Sequence, residues 1–152
     1  MRFSQQVQYA IAGVFDLAYN GLGDSVQVRV IGARQAIPTR YLEQIFQRLR
    51  RAHLVRGKRG PGGGYVLART PREISVLEII QAVEGPGDAG DEPGRSEAEQ
   101  ETPVTGRPHF LAPWLLEHVE GALAAISVED ICRHAAREGV ERIGFAGPDY
   151  QI

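Results

Sequence analysis

Apolar residues recur at intervals of three and four along much of this chain, the spacing that places them on one face of an α-helix. The spacing predicts strong helices over residues 4–19, 39–52, 74–84 and 109–126. Weaker helices are predicted over residues 29–36 and 127–135. The segments rich in glycine and proline between these stretches are expected to form turns and loops.

Capping residues support the predicted starts of several helices. Thr39 follows Pro38 and is predicted to be an N-cap. Ser or Thr followed three residues later by an acid is the capping-box pattern, in which each side chain bonds the backbone N–H of the other residue. This pattern occurs at three places, namely Thr70 with Glu73, Ser75 with Glu78, and Ser127 with Asp130.

Two short segments, residues 54–58 and 65–68, are predicted to form β-strands, and residues 26–28 predict a weaker third strand. The loop between the first two segments is rich in glycine, which permits positive φ and close backbone approach. Lys58 and Arg59 lie at the tip of the resulting hairpin. A glycine-rich loop can also cradle a nucleotide phosphate, but GPGGG precedes a strand and lacks the Lys-Ser/Thr ending of a P-loop.

The polar face of the predicted helix 39–52 carries mainly cations and amides. Between Arg40 and Arg59 the chain has seven basic residues and one acid, Glu43. A merely solvated helix normally mixes both signs through pairs four residues apart. The imbalance therefore favours contact with a polyanion. A helix followed by a hairpin with a basic tip is typical of the winged helix-turn-helix, whose helix enters the major groove while the wing reaches the backbone or minor groove.

The run RYLEQIFQRLRRAHLVRGKRGPGGGYVLAR resembles the Rrf family of winged-helix regulators, of the IscR, NsrR and CymR type. Two signatures of that family, residues 41–44 (YLEQ) and 59–65 (RGPGGGY), are intact, and the start of the chain also matches. The resemblance covers about residues 1–85 closely and continues more loosely to about 136. It implies a mainly α fold with a small β wing: a winged helix-turn-helix domain followed by a long C-terminal dimerisation helix.

Charge is distributed unevenly along the 152 residues. Residues 1–85 hold 12 Lys/Arg and 6 Asp/Glu, whereas residues 86–152 hold 5 and 13. A basic half suits nucleic acid and an acidic half should avoid it. No apolar run is long enough to cross a membrane, and the first residues do not form a signal peptide. We therefore expect a cytoplasmic protein without a membrane partner.

Four regions are predicted: a DNA-binding domain (1–85), a flexible acidic linker (86–108), a dimerisation helix with a following short helix (109–138), and a tail (139–152). In many relatives the region of the linker supplies three cysteines to an iron–sulfur cluster. Here Cys132 is the single cysteine. The chain is therefore predicted to be a family member without the cluster, with no cofactor, and the family's usual sensing does not carry over.

The predicted helix 109–126 bears an apolar stripe longer than a small domain needs for its own core. By resemblance the matching helix pairs two subunits, so we expect a homodimer; packing within one chain is the alternative. The predicted interface consists of Leu111, Trp114, Leu115, Val119, Ala122, Leu123 and Ile126.

No metal site is predicted, because no pair of histidines or cysteines has a recognised ligand spacing. His109, His118 and Cys132 leave open a metal site assembled across a dimer. Cys132 is most simply a small buried residue, with a redox role as the alternative. No nucleophile elbow, carboxylate pair or dinucleotide fingerprint is present, so the chain is not expected to be an enzyme.

The predicted DNA contacts combine residue chemistry with the resemblance. Gln44 can pair bidentately with adenine and Arg40 can reach guanine, while Tyr41, Arg48 and Arg51 are expected at phosphates. The full predicted set is Ser4, Thr39, Arg40, Tyr41, Gln44, Arg48, Arg51, Lys58, Arg59 and Gly60.

The function predicted from these features is a homodimeric, sequence-specific transcriptional regulator, acting as a repressor on a roughly palindromic duplex operator. Control by a partner protein or small ligand docking on the acidic half, or by an atypical metal site, is the alternative.

Overall fold

A computed structural model describes residues 2–85 and 110–143. Its elements follow the predicted order and are mainly helical, with one small antiparallel sheet. The predicted fold class is confirmed. The helices are α1 (Gln5–Tyr19), α2 (Val28–Gln35), α3 (Thr39–Arg51), α4 (Val76–Glu84), α5 (Leu111–Ala124) and α6 (Val128–Arg137). The strands are β1 (Val55–Lys58) and β2 (Gly64–Leu67), and a 3-10 turn covers Pro71–Glu73.

Helix α1 lies at the centre of the fold and contacts α2, α3, α4 and α6. Its approach to α3 depends on Gly13, where a Cβ would lie 2.8 Å from Cε2 of Phe46. Phe46 is fully buried and its ring packs on Tyr65 of the hairpin at a centroid distance of 5.0 Å. The apolar face of α3 predicted from its spacing is the buried one: Leu42, Ile45, Phe46 and Leu49.

Two local predictions were wrong. Thr39 is the first helical residue of α3 and its side chain caps nothing, because the extended residue before the helix is Pro38. Residues 26–28 do not form a strand. Only Val26 bridges to Tyr65, and α2 already begins at Val28, so the chain has no room for a second ladder residue.

All three predicted capping boxes are present. Backbone N–H and hydroxyl hydrogen bonds from Thr70 hold the pKa of the Glu73 carboxyl below its ordinary value. The N–H and hydroxyl of Ser127 lower the pKa of Asp130 in the same way. These carboxylates therefore stay ionised at neutral pH and satisfy N–H groups that the helices leave without a partner.

Helices α4 and α6 start side by side. Val76 N–H donates to Ile126 O at 2.8 Å, and Val128 N–H donates to Ile74 O at 2.8 Å. Val128 is fully buried in the same core as the apolar residues of α1, α3 and α4. Helix α6 thus packs on the winged-helix core, and the chain after it returns to α1, where Tyr19 Oη donates to Val140 O at 2.7 Å.

The predicted linker (86–108), His109 and most of the predicted tail lie outside the described residues. Helix α5 includes Pro113 in its first turn, as its sequence requires. Among the helices of residues 2–85 and 110–143, none has the length and apolar character needed to cross a membrane.

Candidate nucleic-acid interface

The exposed face of α3 is built by spacing of three and four residues. Arg40, Gln44, Gln47 and Arg51 follow one another at steps of four, three and four, and all are exposed. They lie opposite the buried face, since 3.6 residues per turn place them about half a turn from Leu42. The structure therefore presents two cations and two amides together. Gln47 was not among the predicted contacts, although its spacing from Gln44 and Arg51 already indicated it.

Two predicted phosphate ligands flank that face on the side nearest α4. Tyr41 is 59% exposed. Arg48 is half-buried, and its Nη1 donates to Val83 O at 2.9 Å. Part of the hydrogen-bonding capacity of Arg48 is thus used at the C-terminal end of α4, where a cation also suits the negative end of the helix dipole. Arg48 braces α3 against α4, a partner that its sequence position did not predict.

Ser4 is the N-cap of α1. Its Oγ accepts from Val7 N–H at 3.2 Å and donates to Glu84 Oε1 at 2.9 Å. Ser4 is exposed, but a carboxylate lies beside it. The local charge therefore disfavours an anion at this helix end, so Ser4 carries less of the predicted interface than the residues of α3.

The wing is a two-stranded hairpin fixed to the segment before α2. Val26 N–H donates to Tyr65 O at 3.0 Å, and Tyr65 N–H donates to Val26 O at 2.8 Å. Ser25 Oγ donates to Gly62 O in the loop. Gly64 has φ 150°, and a Cβ there would lie 2.4 Å from Val26 O, so only glycine permits this approach.

The tip of the wing presents Lys58, Arg59 and Gly60, all exposed. Gly60 has φ 93°, which favours glycine in the turn. Within the described parts of the chain, the ion pairs found use neither of these two cations, nor Arg40 of α3. Their charge is therefore available to an outside anion. Thr39, the other predicted contact, is half-buried at the start of α3.

The start of α2 adds residues that the sequence pattern did not predict. A cleft of about 540 Å³ separates α2, α3 and the wing. Arg29 lines it, and Arg29 Nε donates to Gln27 Oε1 at 2.7 Å, which orients the guanidinium. Lys58 lines the cleft from the wing and Glu43 lines it from α3. Arg29 lay in a weakly predicted helix whose other cation, Arg34, is five residues away, so no local cluster of charge distinguished it.

The residues of the described chain do not fit an iron–sulfur cluster. Within residues 2–85 and 110–143, no three His, Cys, Asp or Glu side chains come together as a metal site. Cys132 packs against the core, and burial raises the pKa of its thiol, which disfavours the thiolate that such clusters need. His118 Nδ1 lies 2.8 Å from Trp114 O on its own helix. His109 lies outside the described residues.

The predicted dimer helix has much apolar surface that the described residues of its own chain do not cover. Trp114 is 51% exposed and Leu115 is 49% exposed. Val119 and Leu123 are half-buried, and Ala122 is exposed. The other exposed large apolar residues of this region are Phe110, Leu111, Leu116 and Ile126. A monomer rarely leaves such a contiguous patch in water.

Comparisons with known proteins match this architecture. A family model described as "Rrf2: Iron-dependent Transcriptional regulator" matches residues 3–134. The HTH-type transcriptional regulator IscR of Photorhabdus laumondii is 37% identical over 131 residues, which are 86% of this chain and 79% of that protein. The HTH-type regulator NMA1593 of Neisseria meningitidis is 44% identical over 89 residues, so the matched part spans only 60% of that relative and 59% of this chain.

A solved structure titled T. potens IscR is similar over 93% of each chain, with a TM-score of 0.71 and 30% identity. The match thus includes α5 and α6 as well as the winged helix. These relatives are transcriptional regulators and not enzymes, which confirms the prediction that the chain is not an enzyme. The winged helix, its basic α3 and wing, and a family match over most of the sequence together show that this chain belongs to the Rrf2 family of transcriptional regulators.

Proposed function

We propose that this protein is a homodimeric, sequence-specific DNA-binding repressor that works without an iron–sulfur cluster. The observation that carries the proposal is the exposed face of α3 beside a wing anchored at Val26. The face offers donors that read base edges, and the wing offers cations that bind the backbone.

Each side chain has a distinct part in this interface. Gln44 pairs bidentately with adenine, and Arg40 reaches guanine from the first turn of α3. Tyr41 and Arg51 bind phosphates that border the major groove. Arg59 extends from the tip of the wing into the minor groove, whose negative electrostatic potential attracts arginine.

Dimerisation through α5 supplies the second half-site. The face of α5 with half-exposed Trp114 and Leu115 keeps apolar area in contact with water, which is unfavourable unless another surface covers it. A second copy does so symmetrically, and a dimer whose two α3 helices lie about 34 Å apart would match successive major grooves of a palindromic site. A dimer that covers this length of promoter excludes other proteins from it, which supports repression.

The supply of ligands supports the proposed absence of a cluster. One cysteine per chain gives a dimer two thiolates at most, and Cys132 is half-buried against the core. Thiolates are the usual cluster ligands. Regulation by another ligand or by a partner protein is therefore part of the proposal.

The direct test is selection of bound sequences from a random duplex pool with the full-length protein. We expect a palindromic motif that the protein binds more tightly than random duplex at every salt concentration. Equal affinity for the selected and random duplexes would rule out the specific regulator.

A further inference from the structure

A second basic surface lies along the outer edge of the wing. It is an open groove of about 720 Å³ between the C-terminal end of α3 and β1. No carboxylate lines it. We call it the edge groove and define it by six of the residues that line it: Arg50, His53, Arg56, Gly57, Lys58 and Arg59.

The chain between α3 and β1 brings the two sides of the edge groove together. His53 has φ 58°, a left-handed conformation that turns the backbone sharply, and its N–H donates to Arg50 O at 3.0 Å. The turn leads directly into β1. As a result, Arg50, near the end of α3, and His53, in the turn that follows, both lie beside β1.

Gly57 presents backbone groups to the edge groove. Gly57 is opposite Tyr65 in the hairpin register, and both backbone polar groups of Tyr65 bond Val26 on the far side of β2. Opposite residues of an antiparallel pair direct these groups either toward each other or both outward. Gly57 therefore points its N–H away from β2, to the edge of β1 that no other strand of the described residues pairs with. It has no side chain to shield that N–H, and the nearest atom to a Cβ built there is 4.0 Å away.

The chemistry of this groove fits a phosphate. Gly57, with its outward N–H, and the arginines Arg50 and Arg56 line the same groove, and both kinds of donor form short, charge-assisted hydrogen bonds to phosphate oxygens. Arg50 and Arg56 are exposed and belong to none of the ion pairs found in the described residues. The groove adjoins both the exposed face of α3 and the wing tip, which selects DNA as the source of the phosphate.

We propose that the edge groove binds a phosphate of the DNA backbone, on the strand between the major groove that α3 enters and the minor groove that the wing reaches. The contact is independent of base sequence. It extends the proposed DNA-binding function, on which it rests, by assigning Arg50, His53 and Gly57 N–H as positioning residues. Their effect is to fix how deeply α3 sits in the groove.

The first test is the salt dependence of binding by Arg50→Gln, measured by fluorescence anisotropy with a pool-selected duplex and a random duplex of equal length. Each phosphate contact adds about one to the slope of log affinity against log salt. We expect the slope to fall by about one per subunit on both duplexes, with the base preference unchanged. Arg137→Gln, which removes an equal charge from the exposed end of α6, is the matched control and should leave the slope unchanged.

The second test is Gly57→Val, which shields the edge N–H while adding a residue that strands favour. Affinity for both duplexes should fall and the thermal midpoint should not, which separates this effect from unfolding. Unchanged affinity and an unchanged salt slope in both variants would refute the proposal that the edge groove binds a DNA phosphate. A wild-type protein that ignores sequence but loses slope with Arg50→Gln would refute the proposed specificity and leave the edge groove standing.

Discussion

Asp16 and Arg34 form a buried ion pair that links α1 to α2. Asp16 Oδ1 lies 3.1 Å from Arg34 Nη1, and the two side chains are 0% and 11% exposed. Asp16 Oδ2 also accepts from Gln35 Nε2 at 2.9 Å and from Asn20 Nδ2 at 3.1 Å. A single carboxylate therefore holds the first helix of the helix-turn-helix against the central helix, and it also holds Asn20, whose Oδ1 accepts from Ile143 N–H at 2.8 Å.

Removing one partner of this pair should be costly. Asp16→Ala leaves the guanidinium of Arg34 buried without its partner, and such breaks cost about 3–5 kcal/mol. We expect a loss of that size in the free energy of unfolding from urea titration. Arg133→Ala breaks pairs with Glu129 and Asp130 in which the arginine side chain is 53% exposed, and it should cost less than about 1 kcal/mol. Similar losses in the two variants would contradict the assignment.

Substitutions in α3 and in the wing should separate base reading from backbone binding. Gln44→Ala should cost about 1–3 kcal/mol and relax the preference at one base position. Arg59→Ala should weaken binding because it removes a wing cation. The measurement is a competition assay against duplexes with single base changes. A Gln44→Ala protein that keeps the full preference would exclude Gln44 as the base-reading residue.

Disrupting the exposed face of α5 should separate the subunits. Replacing Leu115 and Val119 together by Glu places charges where the proposed dimer buries apolar surface, so we expect monomers or aggregates and loss of operator affinity. Glu120→Gln on the same helix is the control and should remain dimeric. Light scattering gives the mass directly. A monomeric wild-type protein at micromolar concentration would overturn the dimer.

Anaerobic purification should yield a protein without acid-labile sulfide. Iron–sulfur centres absorb between roughly 400 and 500 nm through thiolate and sulfide charge transfer. We expect no such bands, because Cys132 is the single cysteine and lies in α6 against the core. Stoichiometric sulfide would show that Cys132 is a ligand. Metal analysis alone is not decisive, since oxygen and nitrogen ligands can hold other ions.

Acid should weaken the capping box at the start of α6. The folded pKa of Asp130 is depressed by the N–H and hydroxyl of Ser127, so its contribution to stability is present above the unfolded pKa and is lost as pH falls through the folded pKa. In Asp130→Asn, the urea concentration at the unfolding midpoint should change less than in wild type as pH falls from neutral into the acid range. An identical pH profile for wild type and variant would show that this cap contributes nothing.

Much of the fold was predictable because it depends on local spacing. Each of these features depends on a few neighbouring residues: the buried face of α3, the three capping boxes and the basic hairpin. For the helix and the strands, periodicity determines which side faces inward. The family signatures at residues 41–44 and 59–65 lie in the same local stretch. The exposed amides and cations of α3 followed from that spacing.

Contacts between distant segments were decided only by the tertiary structure. Spacing shows that Arg48 lies beside the buried face, but not that Val83, 35 residues away, accepts its hydrogen bond. Spacing likewise does not show that Asp16 is buried with Arg34. Nor does it show that Val26 pairs with the side of Tyr65 that faces away from β1, so that the N–H of Gly57 points to the outer edge of the hairpin. The physical reason is that each of these depends on which element covers which face, and that choice is made by packing the whole core at once.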